Sequence, residues 1–231
     1  MTDPVRIEGS VALVTGANGG LGSAFCRALV DRGAASVRAG ARNPATVTEA
    51  GVMPFALDLT DRDQIARAAH DHPDVTLLVN NAAAMMPVPL IGADSLEHAR
   101  HEMEVNYFGT LELCRAFAPV LANNGGGAIV NMLSVTSWYT PAAYGSYAVS
   151  KAAALSMTNG IRAELEEQGT LVVAVHASVI VADATDGKVS RREVAHLALD
   201  AVEQGTTEVL ADERSRAVKA SLSGKSVQEL T

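Results

Sequence analysis

Tyr147 and Lys151 are four residues apart in the alanine-rich stretch 143–154. On a helix, this spacing places both side chains on one face, one turn apart. An ammonium group beside a phenol favours the phenolate, so we expect the pKa of Tyr147 to fall from its ordinary value of about 10 toward neutrality. Such a phenol could exchange a proton with a carbonyl or alcohol oxygen. The same spacing also fits an exposed helix face, so it needs support from the rest of the chain.

A glycine-rich turn near the start of the chain offers a place for phosphate. The apolar run 11–14 is followed by TGANGGLG, with glycines at 16, 20 and 22, and then by a segment of helical period that ends at Gly33. A strand, a turn and a helix in this order present backbone N–H groups and a helix N-terminus to a pyrophosphate. Because glycine permits a tight turn and close approach to phosphate, we interpret the segment as a nucleotide site rather than an ordinary loop.

Strand and helix patterns alternate along the rest of the chain. Further strands are predicted to end at Arg42, Asp58, Val79, Leu133, His176 and near 207–211, with helices over 96–121, from the Tyr147 segment to about Glu167, and over 192–204. This alternation predicts an α/β fold of the Rossmann type: a doubly wound parallel sheet of about seven strands with helices on both faces. No linker or repeat interrupts the pattern, so we expect a single domain over 1–231.

Composition and charge exclude several classes of function. The formal net charge of −8 and the absence of a basic cluster argue against a nucleic-acid partner. No apolar run approaches the ~20 residues of a membrane span, and the N-terminal segment lacks the apolar core of a signal peptide. Cys26 and Cys114 lie in helical patterns, which indicates buried thiols, and the histidines show no metal-ligand spacing. We expect a cytoplasmic protein without membrane association or a bound metal.

From Val11 to about Ala220 the chain resembles the short-chain dehydrogenase/reductase family, in its shorter, single-domain form. The motifs that carry the resemblance are TGANGGLG at 15–22, DLT at 58–60, NNA at 80–82, VNYFGT at 105–110, IVNMLS at 129–134 and YAVSK at 147–151. The family implies a nicotinamide cofactor and hydride transfer to or from a carbonyl carbon. It also implies four catalytic residues: Tyr147 as acid/base, Lys151 to lower its pKa and hold the nicotinamide ribose, Ser134 to bind the substrate oxygen, and Asn106 to hold a helix bend and a proton-relay water.

The resemblance further implies which residues hold the cofactor. Asp58 would hydrogen-bond the adenine, and Asn80 would line the adenine ribose. The others come from the glycine turn, the active-site pair and the loops that follow the strands. The full set is Gly16, Asn18, Gly20, Leu21, Gly22, Arg42, Asp58, Leu59, Asn80, Ala82, Ala83, Tyr147, Lys151, Ala177 and Val179.

The end of the second predicted strand bears on the choice between NADP(H) and NAD(H). In the family, an acidic residue there pairs with the ribose hydroxyls and selects NAD, but here residues 39–43 read AGARN, without a carboxylate. A guanidinium such as that of Arg42 can hold a 2′-phosphate through paired hydrogen bonds. We therefore expect NADP(H), with NAD(H) less favoured, although Arg42 could also be an exposed loop charge.

The chain departs from the family pattern at two places beside the cofactor. Ala83 stands where the family usually has glycine, and Ala177-Ser178 stands where it usually has Pro-Gly. A methyl group at Ala83 would cost about 1 kcal/mol or more only if φ were positive there. These changes concern cofactor affinity and rate, whereas the four catalytic residues are intact.

The substrate pocket is predicted from the loops that follow the carboxyl ends of strands. Its predicted lining is Met85, Met86, Trp138 and Tyr144, with no formal charge, and the segment 183–190 is shorter than the family's usual lid. This favours a bulky, apolar, uncharged ketone, aryl ketones among them.

Two other functions remain open at this point. A 3-oxoacyl-carrier-protein reductase would need a basic mouth for its phosphate, which 85–92 and 137–143 do not provide. A non-enzymatic, NADP-sensing protein would fit the two departures but not the complete catalytic set. The resemblance implies a homodimer or homotetramer as well as a small ketone or alcohol substrate.

Overall fold

Parallel strands form the sheet at the centre of this protein, whose computed structural model describes residues 4–184 and 188–222. The strands of the described chain are β1 (Val11–Thr15), β2 (Ser36–Ala41), β3 (Met53–Ala56), β4 (Leu77–Asn80), β5 (Ala128–Met132), β6 (Leu171–His176), β7 (Ile180–Val181), β8 (Val189–Ser190) and β9 (Glu208–Leu210). Seven of them make one sheet in the order β3-β2-β1-β4-β5-β6-β9. Every pair in it is parallel, which confirms the predicted doubly wound fold.

Helices cover both faces of this sheet. They are α1 (Gly20–Asp31), α2 (Arg62–Asp71), α3 (Glu97–Met103), α4 (Thr110–Asn123), α5 (Gly145–Glu164), α6 (Arg191–Gln204) and α7 (Glu213–Ser221). Helices α1 and α6 bury one core that includes Phe25, whereas α2, α4 and α5 bury the other, which includes Phe117. Successive residues of β1 alternate between the two cores, because side chains along a strand point to opposite faces. The central strands β1, β4, β5 and β6 are buried on both sides and therefore read as apolar runs, whereas the edge strand β3 is largely exposed.

The predicted helix over 96–121 is divided by a π-helical segment, Glu104–Gly109, that lies between α3 and α4. Gly109 allows this segment to approach the loop after β3, because a side chain there would overlap the carbonyl oxygen of Leu59. The apolar pattern, read as one helix over 96–121, did not reveal this segment. Short π segments of this kind are frequent at functional sites.

Residues 177–190 connect β6 to α6 and include the small parallel pair of β7 and β8. The sequence predicted a short lid over 183–190, of which 185–187 lie outside the described residues. Helix α6 then begins at a capping box: the Ser190 hydroxyl accepts from the Glu193 N–H at 3.1 Å, and the Glu193 carboxylate accepts from the Ser190 N–H at 2.8 Å. These bonds fix the start of α6 firmly.

Candidate functional site

A cleft opens at the carboxyl edge of the sheet, where the strand order reverses between β1 and β4. This is the position at which open α/β sheets bind their ligands. The cavity there is about 510 Å³, and the glycine turn and the loops after β2, β3 and β4 form its walls. The structure brings the following predicted cofactor residues to it: Gly16, Asn18, Gly20, Leu21, Gly22, Arg42, Asp58, Leu59, Ala82 and Ala83.

The glycine turn has the shape that a phosphate cradle requires. Gly16 has a φ of +63°, which an L-residue with a side chain rarely adopts. A methyl group at Gly22 would overlap the carbonyl oxygen of Gly16, so the turn can close tightly only with glycine there. Asn18 ties the turn to a neighbouring loop by donating to the Thr46 hydroxyl at 2.9 Å. The first N–H groups of α1 lack intrahelical partners and can face an anion.

Asn80 does not line the cleft as the resemblance implied, whereas the next residue, Asn81, does. The Asn80 side chain is buried, donates to the Asn131 side chain at 2.8 Å and does not line the cavity. Asn81 lines it instead, and its side chain donates to the Thr15 carbonyl at 2.9 Å. The Thr15 hydroxyl accepts from the N–H groups of Asn81 and Ala82, each at 3.0 Å. Strand alternation could have identified the inward-facing asparagine, but the motif does not distinguish the two.

The end of β2 carries one cation at the cleft. Arg42 is exposed, lines the cavity and has no hydrogen-bond or ion-pair partner in the part of the chain that the structure describes. Arg38, on the same strand, instead pairs with Asp74 at 3.1 Å. Asp58 also lines the cleft, and its carboxylate accepts from the N–H and hydroxyl of Thr60 at 2.9 and 2.8 Å. Arg42 is therefore free to meet an anion in the cleft.

Helix α5 and the loop after β5 bring Ser134, Tyr147 and Lys151 together. Ser134 hydrogen-bonds the Tyr147 side chain. The Lys151 Nζ lies 5.9 Å from the centroid of the Tyr147 ring and donates to the Met132 carbonyl at 2.9 Å. These three side chains are not in the lining of the cavity but lie at the end of β5, the strand next to β4. A phenol, a hydroxyl and a buried amine thus converge at one end of β5.

The pKa of Tyr147 does not fall as the sequence suggested; burial raises it to about 12, partly offset by the hydrogen bond from Ser134. The charge of Glu102 raises it further. Lys151 does not lower it, because burial also disfavours the ammonium and lowers the pKa of Lys151 to about 8. The helical spacing was correct, but the sequence could not show how strongly both groups are desolvated.

Asn106 lies in the π segment and connects two parts of the site. Its side chain accepts from the Ala84 N–H and donates to the Ala84 carbonyl, both at 2.8 Å. It also donates to the Ser150 hydroxyl at 2.8 Å, and Ser150 donates to the Tyr147 carbonyl at 2.7 Å. The loop after β4 is thereby held in register with α5. These contacts to Ser150 and Tyr147 were not predicted from the sequence.

Glu102 is a residue that the sequence analysis missed. It is fully buried on α3, and one carboxylate oxygen accepts from the Met86 N–H at 2.6 Å. The other oxygen has no hydrogen-bond partner in the described part of the chain. The available signal was a Glu on the inward face of the predicted helix 96–121. A Glu is almost never fully buried unless it has a partner, so such a residue indicates a specific contact.

The predicted substrate residues divide into two groups. Met85 and Met86 line the cavity, whereas Trp138 and Tyr144 do not. The Trp138 ring stacks on His176 with a centroid distance of 4.0 Å, and the Lys219 Nζ lies 5.1 Å from it. Trp138 thus packs against the end of β6. Its place in the sequence, four residues after Ser134, could not predict this contact.

The loop after β6 is held differently from the family's usual Pro-Gly corner. The Ser178 N–H donates to the buried carboxylate of Asp212 at 2.6 Å, and the same carboxylate caps α7. Ala177 is buried and Val179 is half exposed, and neither lines the cavity. Asp212 therefore provides a side-chain anchor for this loop.

The cleft has a glycine-rich turn and lies where the strand order of the sheet reverses, and a tyrosine, a serine and a lysine converge at the end of the adjacent strand. Together these features define a dinucleotide-binding protein of the oxidoreductase class. The family described as short chain dehydrogenase matches residues 10–193. The protein belongs to this family.

Individual relatives agree with this assignment. A short-chain dehydrogenase from Burkholderia cenocepacia, solved in complex with NADP, is 41% identical, with a TM-score of 0.90 and 97% of each chain covered. The chain is 33% identical to a sorbitol dehydrogenase from Cereibacter sphaeroides over 79% of this chain and 75% of the relative. It is 34% identical to the short-chain dehydrogenase ptmH from Penicillium ochrochloron over 75% of this chain and 67% of the relative.

None of the helices in 4–184 and 188–222 is long and apolar enough to span a membrane. In the same ranges, no three His, Cys, Asp or Glu side chains are grouped so that they could hold a metal ion.

Proposed function

We propose that this protein is an NADPH-dependent carbonyl reductase, or alcohol dehydrogenase in the reverse direction, acting on bulky, apolar ketones. The observation that carries this proposal is the convergence of Ser134, Tyr147 and Lys151 beside the nucleotide cleft. A non-enzymatic nucleotide sensor would not need a phenol and a hydroxyl hydrogen-bonded to each other at this position.

The cleft fits a dinucleotide with a 2′-phosphate. The glycine turn can close tightly because Gly22 has no side chain, and the first turn of α1 provides N–H groups for the pyrophosphate. Arg42 offers a free guanidinium at the end of β2. The Burkholderia cenocepacia relative was solved with NADP, which supports the same choice. NADP(H), when bound, supplies the hydride.

The chain's own residues supply the proton and orient the substrate. With a pKa of about 12, the Tyr147 phenol is protonated at neutral pH and can donate to an oxygen on which negative charge develops. The Ser134 hydroxyl is the second donor to that oxygen, and each such donor is worth about 3–4 kcal/mol of transition-state stabilisation. Lys151, with a pKa of about 8, is mostly protonated at neutral pH and would hold the ribose of the bound nicotinamide, as the family resemblance implies.

Met85 and Met86 support an apolar substrate, because both line the cleft and are partly exposed there. Methionine side chains adapt to irregular ligand shapes. The loop that carries them is anchored at Met86 by Glu102 and at Ala84 by Asn106. This supports a pocket with a defined backbone and a flexible lining.

A substrate panel tests the proposal. Purified protein is mixed with NADPH and either an aryl alkyl ketone, a ketohexose or a small 2-keto acid, and the loss of reduced-nicotinamide absorbance is followed. We expect the highest kcat/KM for the aryl ketone. A preference for the ketohexose would instead place this protein with the sorbitol dehydrogenase that it resembles, and no turnover with saturating NADPH bound would favour the sensor.

The cofactor preference is tested separately at β2. In the double variant Ala41→Asp/Arg42→Ala, we expect the NADPH-to-NADH ratio of kcat/KM to fall about ten- to a hundredfold, since a charge-assisted pair is lost and a like charge is gained. Arg67→Ala, an exposed arginine on α2, is the matched control. A parent protein that already prefers NADH would contradict the role of Arg42.

We propose a homodimer or homotetramer for the assembly. Phe108, in the π segment, and Val149, on α5, are each about half exposed, although both are apolar. Apolar side chains that share a surface are typical of subunit contacts. Light scattering on the purified protein measures the mass in solution, and a monomer at micromolar concentration would contradict this assembly.

A further inference from the structure

The side chain of Arg191 lies against the glycine turn. Arg191 is the first residue of α6, and its guanidinium occupies the space that a methyl group at Gly20 would need. Gly20 lines the cleft and begins α1. A residue more than 170 positions away in the chain therefore places a positive charge at the rim of the cleft, beside the N–H groups of the first turn of α1.

This guanidinium has no partner among the described residues. Neighbouring arginines on the same side of the sheet are neutralised: Arg27 pairs with Glu49, and Arg32 pairs with Asp200 and Glu203. Between 4–184 and 188–222, Arg191 makes no hydrogen bond or ion pair. The nearest acid in sequence, Glu193, is engaged in the capping box with Ser190.

The cleft itself contains little positive charge at this end. Arg42 is the arginine of its lining and lies at the end of β2, where a 2′-phosphate is expected. The glycine turn has no lysine or arginine between positions 15 and 22. A pyrophosphate carries negative charge on both phosphates, and an arginine can pair with it through two parallel hydrogen bonds.

We propose that Arg191 is a cofactor-binding residue that pairs with the pyrophosphate of the bound dinucleotide above Gly20. This inference rests on the proposed function, because it concerns the same cleft. The capping box and the packing of α6 on α1 hold the backbone of Arg191 in place, so the pairing orders little more than its own side chain. Arg42 then distinguishes NADPH from NADH, whereas Arg191 serves both cofactors.

Binding measurements with three ligands test this assignment. Dissociation constants are measured by calorimetry for NADPH and NADH, and by displacement of NADPH for 2′-AMP, which has the 2′-phosphate but no pyrophosphate. In Arg191→Met we expect the Kd of NADPH and of NADH to rise by similar factors of about ten to a hundred, as for a lost charge-assisted pair. The Kd of 2′-AMP should stay unchanged, and Arg191→Lys should restore part of the affinity.

Arg192→Met is the matched control, since Arg192 is the next residue of α6 and, among the described residues, hydrogen-bonds only His196, at 3.5 Å. Equal Kd values in Arg191→Met and Arg192→Met would overturn this inference and leave the proposed function intact. A rise in the Kd of 2′-AMP in Arg191→Met would also overturn it, because the variant would then have disturbed the whole site. Failure of the parent protein to bind either dinucleotide would refute the proposed function itself.

Discussion

At the scale of single residues, the proton chemistry depends on two buried side chains, Tyr147 and Lys151, that lie near the end of β5. Tyr147 and Lys151 are one turn apart, yet each is shifted toward its neutral form by burial. A neutral phenol is the form required to protonate a substrate oxygen during reduction. The Ser134 hydrogen bond to Tyr147 partly offsets the effect of burial and orients the phenol.

Replacing Tyr147 with Phe removes the proton donor and preserves the packing of the ring. We expect kcat for ketone reduction to fall by about 10²–10⁴-fold, the range of a lost general acid. The Kd for NADPH, measured by calorimetry, should change little, because the glycine turn and Arg42 are untouched. Reduction of ketones by Tyr147→Phe at close to the parent rate would show that another group donates the proton.

The buried Lys151 predicts how stability depends on pH in the cofactor-free protein. Its pKa is 10.5 in the reference state and about 8 in the fold, so between these values the unfolded chain binds more protons. The free energy of unfolding therefore rises with pH in this range. The free energy of unfolding of the parent, minus that of Lys151→Met, should rise by about 2 kcal/mol from pH 8 to pH 10.

Urea unfolding of both proteins at each pH measures this difference. The comparison cancels the opposite contribution of Tyr147, whose raised pKa lowers the stability only above its ordinary value of 10. A constant difference between parent and Lys151→Met across the range would mean that Lys151 keeps its ordinary pKa in the fold.

At the scale of elements, the π segment between α3 and α4 fixes the loop that follows β4. Asn106 pairs with both backbone groups of Ala84 and reaches α5 through Ser150. Three hydrogen bonds from one buried side chain thus hold a cofactor loop and the catalytic helix at a set separation. The extra residue of the π turn directs Asn106 toward this loop.

Asn106→Ala removes these bonds and leaves buried polar groups without partners. We expect a loss of about 1–3 kcal/mol in the free energy of unfolding, from the desolvation of unsatisfied groups. Hydrogen exchange at residues 84–86 should become faster, and kcat should fall. Asn123→Ala, an exposed asparagine at the end of α4, is the control and should change none of the three. Unchanged exchange at 84–86 in Asn106→Ala would show that the Asn106 side chain does not hold this loop.

At the scale of the whole molecule, one sheet joins the two cores. Phe25 lies in the core under α1 and α6, and Phe117 lies in the core under α2, α4 and α5. The same strands supply residues to both, with Leu13 in one core and Val14 in the other. Because the four central strands, β1, β4, β5 and β6, supply residues to both cores, we expect the cores to unfold together as a single domain.

Phe25→Ala and Phe117→Ala test this cooperativity. Each deletes a fully buried ring, so each should lower the free energy of unfolding by about 3–5 kcal/mol. In both variants, circular dichroism and tryptophan fluorescence should report one coincident transition during urea unfolding. Two separate transitions in either variant would show that the faces unfold independently.

The sequence alone was sufficient for the strands of the main sheet and for the residues whose chemistry is local. Apolar runs and helical periods come from contacts along the chain, so the seven-stranded sheet and the spacing of Tyr147 and Lys151 could be read directly. The glycines at 16 and 22 were predicted because backbone geometry at a tight turn depends on a few adjacent residues.

The tertiary structure decided what depends on burial and on distant neighbours. It raised rather than lowered the pKa of Tyr147, turned Asn80 into the core and Asn81 to the cleft, and packed Trp138 on His176. It also brought Arg191 to Gly20 across more than 170 positions. Desolvation and contact between remote segments exist only once the chain has packed, and no local pattern encodes them.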